Sequence, residues 1–194
     1  PPLPVGRRLV VLAPWHRGNE PEGCIPLYIY PGSAFGTGYH ESTQIVLTLL
    51  ERTCTPDAEA ADIGTGSGIL SIAAVKLGAV RVLARDLDPA VLSEVRHNLE
   101  INDIPDGAVE LEEGNLLDGM DRKVDILTAN IIIEPLLDML PSVTGILRKG
   151  GKALFSGLLV RERDRFCEAL EQNGLRLTDE LAVNDWWGAV AEVK

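Results

Sequence analysis

Beyond position 57, short apolar runs alternate with stretches whose apolar residues recur at helical spacing. Such alternation is typical of β-strands joined by α-helices in a mostly parallel sheet. It predicts strands near 58–62, 80–86, 108–112, 124–129, 151–156, 174–183 and 186–193, and helices near 67–77, 89–101, 132–147 and 161–172. Only Asn184 and Asp185 separate the last two strands, so we expect a hairpin that adds an antiparallel strand to the sheet.

The first part of the chain has a different pattern. Residues 8–12 and 27–30 have the composition of short strands, and residues 41–52 carry apolar side chains at helical spacing. We therefore divide the chain into an N-terminal strand-and-loop extension with a linker, residues 1–38, and one α/β domain, residues 39–194.

The composition limits the classes of function. No apolar run approaches the roughly 20 residues needed to span a bilayer, and the N-terminal sequence lacks the hydrophobic core of a signal peptide, so we expect a cytoplasmic protein without a membrane partner. The three cysteines are odd in number and far apart, which indicates neither a disulfide framework nor a metal site. The net charge of −11 argues against direct nucleic-acid binding and suits a basic protein substrate. We also expect a monomer.

A glycine-rich turn, "DIGTGSG" at 62–68, joins the first of these strands to a helix. Gly64 and Gly66 lack side chains, so a ligand can approach the backbone and the helix N-terminus there. The alternative is a tight turn with no ligand. Ile69 stands where a dinucleotide fingerprint has its third glycine, and the acidic Asp62 precedes the turn. This pattern favours S-adenosylmethionine, which has no pyrophosphate, over a nicotinamide cofactor.

Two further polar residues end neighbouring strands. Asp86 ends the second strand of the domain, where a carboxylate can accept hydrogen bonds from both hydroxyls of a ribose. It could instead cap the helix before Pro89, although Asp88 is better placed for that role. Asn130 ends the fourth strand and faces the same edge of the sheet, unless it serves only as a turn residue. No Pro-Pro-aromatic sequence follows Asn130, which makes a nucleobase substrate less favoured.

A second glycine loop, "AFGTGYHEST" at 34–43, precedes the helix at 41–52. Two such loops in one domain indicate that both face one ligand. We expect Phe35 and the glycines of this loop to close over the cofactor while Thr43 forms a hydrogen bond to it from the start of the helix. His40 and Glu41 are candidate general bases by their chemistry, unless His40 instead caps the helix or holds the loop.

In this order along the chain, "VVLAPWH", "IPLYIYPGSAFGTGYHEST", "DIGTGSGILSIAA", "DLDP", "TANI", "SGLL" and "DWWGAVAEVK" resemble the catalytic domain of the PrmA family. Members of this family trimethylate amino groups of a large-subunit ribosomal protein with S-adenosylmethionine. The resemblance implies a class I methyltransferase fold, Rossmann-like, with a seven-stranded sheet. It places cofactor contacts on Thr43, Gly64, Asp86 and Asn130, and supporting roles on Phe35, Thr37, Gly38, Gly66 and His40.

Family members also carry a separate N-terminal domain for which this chain has no room, so the sequence is either a fragment or a shorter relative. We predict an S-adenosylmethionine-dependent methyltransferase acting on protein amino groups, most simply those of a ribosomal protein, with His40 and Asn130 as catalytic residues. A methyltransferase acting on a small molecule or a nucleic acid, and a noncatalytic nucleoside-binding domain, remain as alternatives.

Overall fold

The computed structural model describes residues 2–30 and 40–194. In chain order, its elements are β1 Leu3–Val5, β2 Leu9–Leu12, β3 Ile25–Tyr28, α1 Glu41–Thr53, β4 Glu59–Ile63, α2 Ile69–Lys76, β5 Arg81–Asp86, α3 Pro89–Ile101, β6 Val109–Glu113, β7 Val124–Asn130, α4 Ile133–Ile146, β8 Leu147–Leu159, α5 Arg163–Gln172, β9 Leu175–Val183 and β10 Trp186–Val193. Short 3-10 turns cover Pro14–His16 and Val160–Glu162. Among the helices of the described ranges, none is both long and apolar enough to cross a membrane.

The main sheet has seven strands in the order β6-β5-β4-β7-β8-β10-β9. β10 runs antiparallel to both β8 and β9, while the pairs from β6 to β8 are parallel. Asn184 has a φ of +54° in the turn between β9 and β10, which confirms the predicted hairpin. The chain leaves β4 toward β5 and β6 and then returns to β7 on the other side of β4. Ligands of open α/β sheets bind at such a reversal, outside the carboxyl ends of the strands.

Four of the five residues of the internal strand β4 are poor strand formers. Its sequence "EAADI" contains two alanines, yet Ala61 and Ile63 lie in the core on one face of the sheet and Ala60 in the core on the other. Helices cover both faces, so burial on both sides decides the conformation despite the low β-propensity. The strand directs its carboxyl end into the glycine turn.

The N-terminal residues form a second, three-stranded sheet. β2 pairs antiparallel with β1 and parallel with β3, and Val5, Leu9 and Leu27 join the core formed by α1 and α2. β1 was not predicted, because three residues that include Pro4 carry no periodic signal, and β3 begins two residues before the predicted strand at 27–30. The predicted boundary after residue 38 stays a prediction.

Two buried asparagines, Asn98 on α3 and Asn102 directly after it, hold the end of β3 and the segment that follows. Asn102 forms hydrogen bonds with both the N–H and the carbonyl of Tyr28. One turn earlier, Asn98 accepts from the backbone N–H of Tyr30 (3.1 Å) and donates to the carbonyl of Ser67 (2.8 Å). The chain entering the 34–43 motif is thereby fixed to the glycine turn.

Candidate active site

The glycine turn between β4 and α2 needs its glycines. Gly64, Gly66 and Gly68 have φ angles of +69°, +57° and +84°, in the left-handed region that side chains disfavour. A Cβ on Gly64 would also lie 2.8 Å from the Cγ2 atom of Ile131. The N–H groups of Gly64 and Thr65 both donate to the carbonyl of Arg85 at 2.9 Å, which holds the turn against β5.

Asp62 supports this turn from inside. Its carboxylate accepts hydrogen bonds from the hydroxyls of Thr65 (2.8 Å), Ser71 (2.9 Å) and Thr128 (3.0 Å). Burial raises the pKa of Asp62, and the three hydroxyls oppose that rise. Asp62 therefore stabilises the turn rather than contacting a ligand. Sequence reasoning missed this role, although Thr65 and Ser71 follow Asp62 closely enough in the chain to have indicated it.

Asp86 ends β5 beside the turn. Its Oδ2 atom accepts a hydrogen bond from the Gly66 N–H, and its Oδ1 atom accepts one from the Asp88 N–H, both at 3.1 Å. Asp88, and not Asp86, caps α3 by accepting from the Ala90 N–H at 2.9 Å. The helix-cap alternative for Asp86 is therefore excluded, and its carboxylate is left to line a cleft.

That cleft, of about 430 Å³, opens at the carboxyl edge of β4, β5 and β7. Its lining comprises Ile63, Gly64, Gly66, Asp86, Leu87, Asp88, Val91, Gly114, Asn115, Leu116, Asn130, Ile131 and Pro135. Apolar walls with a few polar groups are typical of small-molecule sites. Sequence reasoning did not identify the segment 114–116, because no motif marks it. We call this the nucleoside cleft.

Asn130 stands at one end of the nucleoside cleft. Its Nδ2 atom donates to the hydroxyl of Thr43 at 3.2 Å. Thr43 is fully buried, so it acts on the cleft only through its contact with Asn130. The Oδ1 atom of Asn130 is buried and has no hydrogen-bond partner among the described residues. Leaving a buried acceptor unpaired costs about 1–3 kcal/mol, which points to a ligand donor at this position.

A second cleft, of about 460 Å³, adjoins the first and is apolar. It is lined by His40, Ser42, Asn130, Ile131, Ile132, Pro135, Gly157 and Trp186, so that Asn130, Ile131 and Pro135 belong to both clefts. We call it the acceptor cleft. Asn130 is the polar side chain at the junction of the two.

His40 forms part of the wall of the acceptor cleft. Its Nδ1 atom accepts from the Ser42 N–H at 3.1 Å and lies 2.8 Å from the Ser42 hydroxyl, so His40 caps α1 as one of the two sequence interpretations held. Its ring packs edge-on against Trp186, with 4.7 Å between the ring centroids. The adjacent Trp187 is buried in the core, as alternation along a strand predicts.

A glycine also shapes the loop after β7. Gly157 has a φ of +91°, and a Cβ there would overlap the carbonyl of Ile131. The Ile131 N–H donates to the carbonyl of Ser156 at 3.1 Å. This close approach holds Ile131 between the clefts and leaves Ile132 67% exposed at the mouth of the acceptor cleft.

A larger cleft, of about 690 Å³, lies around Arg7, Arg8 and Glu51. None of the predicted site residues lines it, and the carboxylate of Glu51 already pairs with the N–H groups of Arg7 and Arg8. We place the candidate site at the two smaller clefts because they combine the glycine turn, Asp86 and an unpaired buried acceptor.

The structure thus brings together Gly64, Gly66, Asp86 and Asn130 at the nucleoside cleft, with Thr43 behind Asn130 and His40 on the adjoining cleft. The predictions for Phe35 and Thr37 lie outside the described residues.

Comparisons with known proteins show what the chain is similar to. The family model described as "Ribosomal protein L11 methyltransferase (PrmA)" matches residues 1–194, which confirms the resemblance found in the sequence. The curated ribosomal protein L11 methyltransferase of Alkaliphilus oremlandii (strain OhILAs) is 34% identical over 193 residues, covering 100% of this chain and 61% of that relative. The corresponding protein of Clostridium perfringens (strain ATCC 13124) is 37% identical over 194 residues, with the same coverage of 100% and 61%. The chain therefore spans less than two thirds of the length of these relatives.

Solved structures give the same result for the fold. The crystal structure of ribosomal protein L11 methylase from Lactobacillus delbrueckii subsp. bulgaricus superposes with a TM-score of 0.92 at 32% identity, covering 100% of this chain and 98% of that one. Precorrin-6y C5,15-methyltransferase from Geobacter metallireducens GS-15, at 20% identity and a TM-score of 0.64, shares the fold alone over 76% of this chain. The predicted class I methyltransferase fold is confirmed.

Proposed function

Because the chain belongs to the ribosomal protein L11 methyltransferase (PrmA) family, we propose that it transfers methyl groups from S-adenosylmethionine to amino groups of a ribosomal protein. The acceptor is a lysine side chain or an N-terminal amine. The observation that carries this proposal is the unpaired Oδ1 atom of Asn130 at the junction of two clefts, one suited to a nucleoside and the other apolar.

The residues of the nucleoside cleft fit S-adenosylmethionine, which supplies a methyl group activated by a positively charged sulfur. Asp86 has the geometry to accept hydrogen bonds from the ribose hydroxyls while it holds the Gly66 N–H. The glycine turn allows close approach of the backbone. Asn130 would bind the end of the cofactor that carries the methyl group, held in place by Thr43. We keep Phe35 and Thr37 as further proposed cofactor contacts.

The acceptor cleft would prepare the amine. A lysine has a reference pKa of about 10.4, so deprotonating it at pH 7 costs about 4.6 kcal/mol. An apolar cleft lowers this cost, because burial disfavours the charged ammonium form. We propose that the Oδ1 atom of Asn130 orients the amine and that His40, in the wall of the same cleft, is a further catalytic residue. Alignment of the amine with the methyl group can contribute about 7–11 kcal/mol.

The net charge of −11 supports a basic protein as the partner. We propose that residues 39–194 form the methyltransferase domain with residues 1–38 as its extension, and that the protein acts in the cytoplasm as a monomer without direct contact to nucleic acid.

The proposal is tested by incubating the chain with S-adenosylmethionine carrying a labelled methyl group and, in separate reactions, ribosomal protein L11, ribosomal RNA and a small-molecule extract. We expect label in the protein and none in the other two. Label confined to RNA or to small molecules would instead support a methyltransferase that acts on a nucleic acid or a small molecule. Cofactor binding without transfer to any fraction would indicate a noncatalytic nucleoside-binding domain.

A further inference from the structure

Arg85, on β5 of the main sheet, has a buried guanidinium. It is 6% exposed and directly precedes Asp86 on β5. Burying a charge is costly unless the charge is paired and hydrogen-bonded. The Nε atom of Arg85 lies 2.8 Å from Glu112 Oε2, close enough for an ion pair although the N–H is not aimed at that oxygen as a hydrogen bond requires.

The two remaining nitrogens of Arg85 hold the loop that follows β6. Nη1 donates to the carbonyl of Leu116 and Nη2 to the carbonyl of Asp118, each at 2.7 Å. Leu116 has a φ of +50°, an unfavourable conformation for a leucine that persists only when its surroundings enforce it. The fork of the guanidinium supplies that restraint, since one planar group binds two carbonyls at fixed spacing.

The start of this loop is shaped to the same side chain. A Cβ on Gly114 would overlap the guanidinium of Arg85, so the guanidinium occupies the space that a larger residue at position 114 would need. The Gly114 N–H donates to the backbone carbonyl of Asp86 at 3.0 Å. The loop 114–118 is therefore fastened to the end of β5 by both backbone and side chain.

The loop 114–118 forms one wall of the nucleoside cleft through Gly114, Asn115 and Leu116. The backbone carbonyl of Arg85 holds the opposite wall, the glycine turn, through the N–H groups of Gly64 and Thr65. The side chain of Arg85 is absent from the cleft lining given by the described residues. Arg85 thus sets the spacing of the two walls without reaching the space between them.

We propose that Arg85 is a positioning residue for the nucleoside half of the cofactor, because its guanidinium fixes the loop 114–118 against which the purine ring packs. This inference rests on the proposed function. A preformed wall increases affinity because the loop does not have to be ordered when the ligand binds.

The test compares Arg85→Met and Arg85→Lys with the unchanged chain by calorimetric titration of S-adenosylhomocysteine. Lysine keeps the charge but lacks the planar fork. We expect each variant to bind about tenfold more weakly, with the KM for S-adenosylmethionine raised, and with kcat at saturating cofactor and the KM for the protein acceptor changed less than about twofold. Merely lowered stability would not produce that split at a temperature where every variant is folded.

Two further variants complete the test. Arg122→Met is the matched control, because Arg122 pairs with another β6 carboxylate, Glu110, at 3.0 Å and, within the described ranges, forms no hydrogen bond or ion pair with the loop 114–118. This variant should leave affinity unchanged. Gly114→Ala alone should weaken binding, because the added Cβ overlaps the guanidinium of Arg85. In a chain that already carries Arg85→Met it should have little further effect, since the guanidinium is then absent. Unchanged affinity in Arg85→Lys, and in Arg85→Met if that variant folds, would overturn the proposal. If the unchanged chain fails to bind S-adenosylhomocysteine, the proposed function fails, and this inference with it.

Discussion

Replacing Asp86 with alanine is expected to weaken binding of S-adenosylmethionine by at least about a hundredfold. The carboxylate accepts from the N–H of Gly66, and we propose that it also binds the ribose hydroxyls. Hydrogen bonds to a charged group contribute about 1.5–3 kcal/mol each, so losing two to the ribose costs about 3–6 kcal/mol, which is about a hundredfold or more in Kd. Calorimetric titration of the folded variant measures this loss directly.

Glu113→Ala is the matched control for this prediction. Glu113 is the register partner of Asp86 on β6, so it is a carboxylate at the end of the neighbouring strand, and it does not line the nucleoside cleft in the described parts of the chain. Its removal changes the net charge by the same amount as the loss of Asp86. Equal affinity for Asp86→Ala and Glu113→Ala would mean that the ribose binds elsewhere.

Replacing Asn130 with alanine is expected to lower kcat by about a hundredfold or more. The change removes the unpaired Oδ1 atom at the junction of the clefts and the Nδ2 contact to Thr43. Removing one preorganised polar group at a reaction centre typically costs about 10²–10³ in kcat. Methyl transfer to ribosomal protein L11 at saturating cofactor gives the rate, and titration of S-adenosylhomocysteine gives the accompanying change in affinity.

Thr43→Val separates positioning from direct contact at Asn130. Valine is close in shape to threonine but removes the hydroxyl that accepts from Asn130 Nδ2. The Asn130 amide then loses this hydrogen bond but keeps its oxygen. We therefore expect the cofactor affinity of Thr43→Val to fall by a smaller factor than the kcat of Asn130→Ala.

If Asn130→Ala keeps kcat within a few-fold of the unchanged chain, the junction of the clefts is not the reaction centre.

The order of strands and helices could be predicted because it depends on local periodicity. α3 begins and ends where the sequence places it, at residues 89 and 101, since Asp88 and Pro89 mark its start. β8 begins at Leu147, four residues before the predicted strand at 151–156, and reaches Leu159. Its first residues, "LRKG", lack a strand pattern, so pairing with neighbouring strands determines that conformation and no local signal does.

The site divides in the same way. Asp86 and Asn130 could be predicted because residues that end parallel strands meet at one edge of the sheet. The role of Arg85 could not, because its partners Leu116 and Asp118 lie 31 and 33 residues further along the chain. Their meeting depends on the path of the loop after β6, for which the sequence carries no motif.

The position of S-adenosylhomocysteine bound to this chain would show whether the two clefts hold the cofactor and the acceptor. We expect a crystal structure of the complex to place the ribose hydroxyls on Asp86, the purine against the loop 114–118, and the sulfur beside Asn130, facing the acceptor cleft at His40 and Trp186. A sulfur atom directed away from that cleft, or a nucleoside bound outside the cleft beside the glycine turn, would contradict this expectation.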